Sequence, residues 1–276
     1  MNDLIDWPRI LFECKDNVQL SIQQCSATDK EFEPALGRGA GGDVMKPVDL
    51  AAENAIVDTL KQHDVSFTLV SEESGVKKFG AQAGECYVTV DPIDGTTNFT
   101  RGLPFYACSI AVSDKPMLEN VYVGLVADLF HDVTYTAFKG KGAFRDGEKI
   151  KPSKNSSLDD AIIGLDLNTY KIDIIAPRLT ALIGKTKHIR HFGANALELC
   201  YVADGLTDGF VDLRGKLRTT DVAAAFLILK EAGGTVSTAD NQAVNVELDP
   251  QKTLVFVASA NMQIHEKILS LVKTPC

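Results

Sequence analysis

Two carboxylates three positions apart, Asp91 and Asp94, stand in the run Asp91-Pro92-Ile93-Asp94-Gly95-Thr96-Thr97-Asn98-Phe99. Ionised carboxylates are acceptor-only, hard oxygen ligands. With the Ile93 carbonyl between them they can converge on a divalent cation, magnesium being the natural candidate. Gly95 lets the backbone approach a ligand closely, and Thr96 and Thr97 offer hydroxyls and N–H groups at what reads as a helix start, where phosphate binds. Taken alone, Asp91 and Asp94 equally suit a capped turn that satisfies local backbone.

The elements that must hold these residues follow from periodicity. Tyr87 to Val90 reads as a buried strand, and Pro92 is predicted to stop its ladder, leaving both carboxylates at a strand's carboxyl end. Leu4, Trp7, Leu11, Cys14, Val18 and Ile22 predict an amphipathic helix over 4–25, and Pro47 opens a second helix. Residues 28–42 are polar and then glycine-rich, the composition of an exposed, mobile loop. Phe67 to Val70, Ala107 to Val112, Val121 to Ala127 and Val133 to Phe138 read as strands, the last three as an antiparallel meander, with a tight turn at Arg145 to Glu148. Beyond a boundary near 151–157, strands (161–165, 189–192, 208–213, 254–258) alternate with helices (175–183, 194–202, 221–232 and one ending near 272). The reading is α/β with layered sheets and helices, in an N-terminal α+β subdomain (1–152) and a C-terminal α/β subdomain (153–276).

A chain of 276 residues is long enough to bury about three quarters of its surface. No apolar run spans a membrane and the first residues lack the pattern of a secretory signal, so a cytoplasmic protein without membrane partners is expected. Six scattered cysteines with no C-x-x-C pair suggest neither a zinc site nor a disulfide framework. A net charge of −9 argues against a nucleic-acid partner and fits phosphate binding only if cations invert the charge of an acidic pocket.

The nine-residue string resembles the signature of the inositol monophosphatase superfamily of magnesium-dependent sugar phosphatases. Other segments are similar to that family in order and placement. Ser71-Glu72-Glu73-Ser74 closes a strand as its glutamate pair does, Thr219-Thr220-Asp221-Val222-Ala223-Ala224-Ala225 matches its second aspartate motif, and Phe192-Gly193-Ala194-Asn195 matches its substrate-side segment. The resemblance spans about residues 46–260. The chain between Asp212 and Asp221 is two residues longer than in the animal inositol enzymes, and with the insertion Arg214-Gly215-Lys216-Leu217-Arg218 it most resembles the archaeal-type fructose-1,6-bisphosphatase/inositol monophosphatases.

What the resemblance implies is specific. The fold would be a layered αβαβα sandwich, and the protein a homodimeric hydrolase of carbohydrate metabolism, including gluconeogenesis. It would cleave fructose 1,6-bisphosphate and inositol monophosphate with two or three Mg²⁺ ions per site. Glu72, Asp91, the Ile93 carbonyl, Asp94 and Asp221 would hold metal, with Asp43 reaching a third ion. Gly95 and Thr96 would bind phosphate, and Asp49, Glu72 and Thr96 would activate water. Asp94, Gly193, Asp212 and Tyr170 would meet the small phosphorylated sugar or polyol, and Arg101, Lys171 and Arg190 would supply cations near it. Two alternatives stay open: a nucleotide-directed phosphatase acting on 3′-phosphoadenosine 5′-phosphate or NADP, and an inactive metal- or phosphate-binding regulator, against which the full set of acidic residues speaks. Gly37-Arg38-Gly39-Ala40-Gly41-Gly42 satisfies G-x-G-x-x-G, but residues 31–34 are no buried strand, so a dinucleotide site is rejected.

Overall fold

The structure, a computed structural model, describes residues 5–28, 37–168 and 172–273. Two sheets organise them. The first has eight strands: β1 (Phe67–Ser71), β2 (Gly75–Phe79), β3 (Tyr87–Asp94), β4 (Ala107–Ser113), β5 (Val121–Asp128), β6 (Val133–Phe138), β7 (Gly142–Arg145) and β8 (Glu148–Lys149), in the order β2-β1-β3-β4-β5-β6-β7-β8. β4 to β6 form the expected antiparallel meander, which β3 extends at one end and β7 and β8 at the other, while β1 and β3 pair in parallel. The second has five strands, β9 (Ile162–Leu165), β10 (His188–Arg190), β11 (Gly209–Arg218), β12 (Thr235–Ser237) and β13 (Thr253–Ser259), in the order β10-β9-β11-β13-β12.

Strand alternation explains how helices layer on both faces. Along β4, Cys108, Ile110 and Val112 face one core with Cys14, Val18, Ile56 and Leu60 of helices α1 (Trp7–Thr28) and α2 (Pro47–Gln62). Ala107 and Ala111 face the opposite core, against helices α5 (Asn195–Ala203) and α6 (Thr219–Ala232). Phe210, Phe256 and Ala258 of the second sheet close that same core from beyond. On the far side, Ile163, Val211 and Val257 pack on Leu179 of α4 (Ile172–Lys185) and on Ile264 and Ile268 of α7 (Met262–Val272). The result is the αβαβα sandwich. Each buried Leu, Ile or Val contributes about 1.5–3 kcal/mol relative to exposure, so the central core, shared by both sheets, is a large stabilising term.

Three expectations are corrected. Pro92 does not end its strand: β3 continues to Asp94, and the register with β4 shifts between Asp91 and Asp94, so the proline sits at a bulge that needs no ladder N–H. Of the glycine-rich segment expected to be exposed and mobile, residues 29–36 lie outside those described. Gly37, Arg38 and Gly42 are exposed as expected, but residues 39–41 are half-buried and hydrogen-bonded: Ala40 N–H donates to the Glu73 carbonyl at 3.0 Å and Gly41 N–H to the Glu72 carbonyl at 2.7 Å. Finally, β2, β7, β8 and β12 are strands beyond the expected set. No described helix is long and apolar enough to cross a membrane.

Candidate active site

The carboxylates converge because four chain segments end at one place. Glu72 follows β1, Asp91 and Asp94 flank the β3 bulge, Asp221 stands in the first turn of α6, and Asp49 in the first turn of α2. All five, with Asp43, Ile93, Gly95, Thr96 and Gly193, line one pocket of about 680 Å³. Gly95 makes the turn from β3 into the short helix α3 (Thr96–Arg101) at φ +89°, where a Cβ would come within 3.1 Å of the Gly193 carbonyl. Asn98, in the same motif, donates to the Phe105 and Phe192 carbonyls at 2.7 Å, tying the turn to the segment that carries Gly193.

Within the pocket, oxygen atoms of Glu72, Asp91 and Asp221 all lie within 4.8 Å of one another. Asp91 is buried and its Oδ1 has no hydrogen-bond partner. Burial first, then the neighbouring charges, pushes the Glu72 and Asp91 carboxyls well above the ordinary carboxylate range. Asp221 is raised by burial too, although it accepts the Arg218 N–H at 2.8 Å. Such a cluster suits a divalent cation: hard oxygens, an orphaned lone pair and mutual repulsion that positive charge would reverse. The carboxyl of Asp94 stands outside this triple and is held by the N-terminus of α5, accepting from Asn195 N–H at 2.9 Å and Ala196 N–H at 2.7 Å. Burial still moves it up to about 7.

Asp49 is buried and pushed up to about 6 by desolvation, against the opposing Lys46 N–H bond. Its Oδ1 has no hydrogen-bond partner, and nearby Thr96 favours its charged form. The Thr96 hydroxyl itself donates to the Ile93 carbonyl at 3.0 Å.

The expected sugar-side cations are not gathered here. Arg101 is exposed and outside the pocket lining, as is Arg190, whose guanidinium turns back to the Ile189 carbonyl at 2.8 Å. Tyr170 and Lys171 lie outside the described residues. Asp212 is fully buried and bound by the Arg214 guanidinium, and it is Arg214 that lines the pocket. Alternate residues of β11, Arg214, Lys216 and Arg218, face the site, joined from elsewhere by Lys46, Glu73, Asp166, Asn168 and Asn195. Period-two spacing of cations after Asp212 was the available signal for the first three. Arg218 bridges two of the acids: Nη1 donates to Glu72 Oε2 at 2.8 Å, Nη2 pairs with Asp43, and Nε donates to the Gly41 carbonyl at 3.1 Å.

A five-layer sandwich with an acidic pocket where strand ends and helix N-termini meet defines a phosphatase class. The family model described as "Inositol monophosphatase family" matches residues 15–274, and the chain belongs to that family of magnesium-dependent phosphatases. It is 33% identical to a fructose-1,6-bisphosphatase/inositol-1-monophosphatase of Methanothermobacter thermautotrophicus, over 97% of each chain. It is 38% identical to the Archaeoglobus fulgidus protein of the same name, over 86% of this chain and 87% of that one. A bifunctional NADP phosphatase/NAD kinase of Methanococcus maripaludis is 33% identical over 93% of this chain, which spans 49% of that longer protein. Among solved structures, an inositol monophosphatase/fructose 1,6-bisphosphatase superposes with TM-score 0.84 at 30% identity, covering 97% of this chain and 100% of the other. The suhB extragenic suppressor of Bartonella henselae gives 0.83 at 27%, covering 97% and 98%.

Proposed function

We propose that this phosphatase hydrolyses fructose 1,6-bisphosphate and inositol monophosphate with Mg²⁺. The observation that carries the metal assignment is the orphaned, buried Asp91 Oδ1 amid the Glu72 and Asp221 oxygens. Glu72, Asp91, the Ile93 carbonyl, Asp94 and Asp221 would hold the ions. When bound, magnesium lowers the pKa of an attacking water and neutralises charge on the phosphoryl group.

The chain's own residues do the rest. Thr96 and Asp49 orient and accept the water's proton: the partnerless Asp49 Oδ1 gives the Thr96 hydroxyl an acceptor once it leaves the Ile93 carbonyl. The N–H groups of Gly95 and Thr96 hold phosphate oxygens. Asp166, Asn168 and Arg214 line the pocket and would read sugar hydroxyls, and Lys216 would meet a second anionic group. In this reading residues 1–152 carry the phosphate motif and 153–276 the substrate side and Asp221. The protein is taken as a cytoplasmic homodimer of carbohydrate metabolism with no nucleic-acid or membrane partner.

The Methanococcus relative supports a second reading, an NADP phosphatase. Phosphate release from fructose 1,6-bisphosphate, inositol 1-phosphate and NADP, measured side by side with and without Mg²⁺, separates the two. Release from the first two that stops with EDTA is expected. Exclusive release from NADP would replace the sugar assignment, and Mg²⁺-independent release would overturn the metal assignment.

A further inference from the structure

The family resemblance implies a third ion on Glu72 and Asp43, but in this chain a side chain already joins those two carboxylates. Arg218 ends β11, and its backbone N–H is pinned to Asp221, the acid that opens α6. From that anchor its side chain, 13% exposed, spreads its guanidinium across the pocket rim. Nη1 donates to Glu72, Nη2 pairs with Asp43 and Nε donates to the Gly41 carbonyl, so each of its three nitrogens has an acidic or carbonyl partner. A planar fork with fixed donors suits such a three-way bridge, which a single ammonium would not reproduce.

The glycines of the rejected dinucleotide motif find their reason here. A Cβ on Gly41 would lie 2.8 Å from Arg218 Nε, and one on Gly39 2.7 Å from the Glu72 carbonyl. The loop is therefore glycine-rich where it must lie against the Glu72-Glu73 turn and under the guanidinium.

We propose that Arg218 is a tethered cation standing in the place of a third metal ion, so that the site works with two divalent ions and the 39–44 loop is docked by arginine. This rests on the reading of Glu72, Asp91 and Asp221 as the metal cluster. An ion on Glu72 and Asp43 would have to displace a half-buried guanidinium or share its two carboxylates with it, and cation–cation repulsion opposes the second. Arg218 is thus a positioning residue.

The test counts ions, with Mn²⁺ as the probe in equilibrium dialysis and electron paramagnetic resonance, on the full-length protein. Wild type and Asp43→Asn are both expected to bind two ions per chain. Arg218→Gln is expected to gain a third, weaker ion, lost again in Arg218→Gln/Asp43→Asn. Loss of an ion in Asp43→Asn alone overturns the proposal, and so does a folded Arg218→Gln protein that still binds two. The Asp43→Asn arm decides the matter even where Arg218→Gln fails to fold. Should wild type bind no Mn²⁺ that Asp91→Asn removes, the metal-cluster reading itself fails, an outcome distinct from the other two.

Discussion

A carboxylate buried among carboxylates is costly until positive charge reaches it, and Asp91 has that position, with Glu72 and Asp221 beside it and one oxygen unpartnered. Asp91→Asn should therefore act in opposite directions on stability and function. Without metal the variant is expected to melt above wild type, because a repulsive buried charge has gone. Its phosphate release should fall by roughly a thousand-fold, and Mg²⁺ should no longer raise its melting temperature. Circular dichroism melts in EDTA and in Mg²⁺ read both effects, and a metal-free variant that melts lower than wild type would contradict the account. Thr96→Ala and Asp49→Asn remove the two groups assigned to the water's proton, each with an expected loss of about 10²–10⁴-fold in kcat. Because they act as a unit, the double variant should lose little more than the worse single one. Multiplicative losses would mean that the two residues work independently.

Helix α6 fixes the site as an element, since it carries Asp221 at one end and lies between both sheets, with Ala223, Ala224 and Ala225 buried. It approaches β5 so closely that a Cβ on Gly124 would meet the Ala224 carbonyl oxygen at 2.9 Å. Gly124→Ala is expected to destabilise by about 1–3 kcal/mol through overpacking, read as a lower urea midpoint with unchanged slope. Gly124 sits in a strand whose alternation was plain in the sequence, as were β3, β4, β6 and helices α1, α2, α4, α5, α6 and α7, because those elements bury an apolar stripe or face; α3 buries only Asn98 and was legible from the Gly95-Thr96 motif instead. Strand β2 was illegible since its side chains are mostly exposed and include Lys77 and Lys78, a charged edge without an apolar pattern. The metal-side acids were readable because they cluster within local motifs at element ends. The cationic wall left only the period-two spacing of Arg214, Lys216 and Arg218 as a trace: in β11 the pairing with β13 shifts between Asp212 and Leu217, with Gly215 at φ +63°, so alternation alone does not say which face of the strand meets the pocket.

Across the whole molecule the acids set a pH dependence whose sign metal should alter. Burial raises Asp49 to about 6, Asp94 to about 7 and Glu73 to about 8, and moves Glu72, Asp91 and Asp221 upward as well. An unfolded carboxyl titrates near about 4, so above that pH the native state binds more protons than the unfolded chain. The stability these groups contribute is complete below their unfolded pKa and lost as pH rises through the folded values. His265 works the other way: fully buried between the Ser237 and Ser259 hydroxyls, its pKa is lowered by desolvation, so its contribution is lost as pH falls below about 6.5. Glu198, also raised to about 8 by burial, and Asp212 add to the raised carboxyls, which together outweigh one imidazole, and metal-free protein should melt lower near pH 8 than near pH 6. Mg²⁺ binding requires deprotonated ligands and expels their protons, so the melting temperature it adds should grow over the same interval. Scanning calorimetry with EDTA and with Mg²⁺ at both pH values measures the difference. A metal-induced increment that stays constant or shrinks with pH would show that these carboxyls are not what the ion binds.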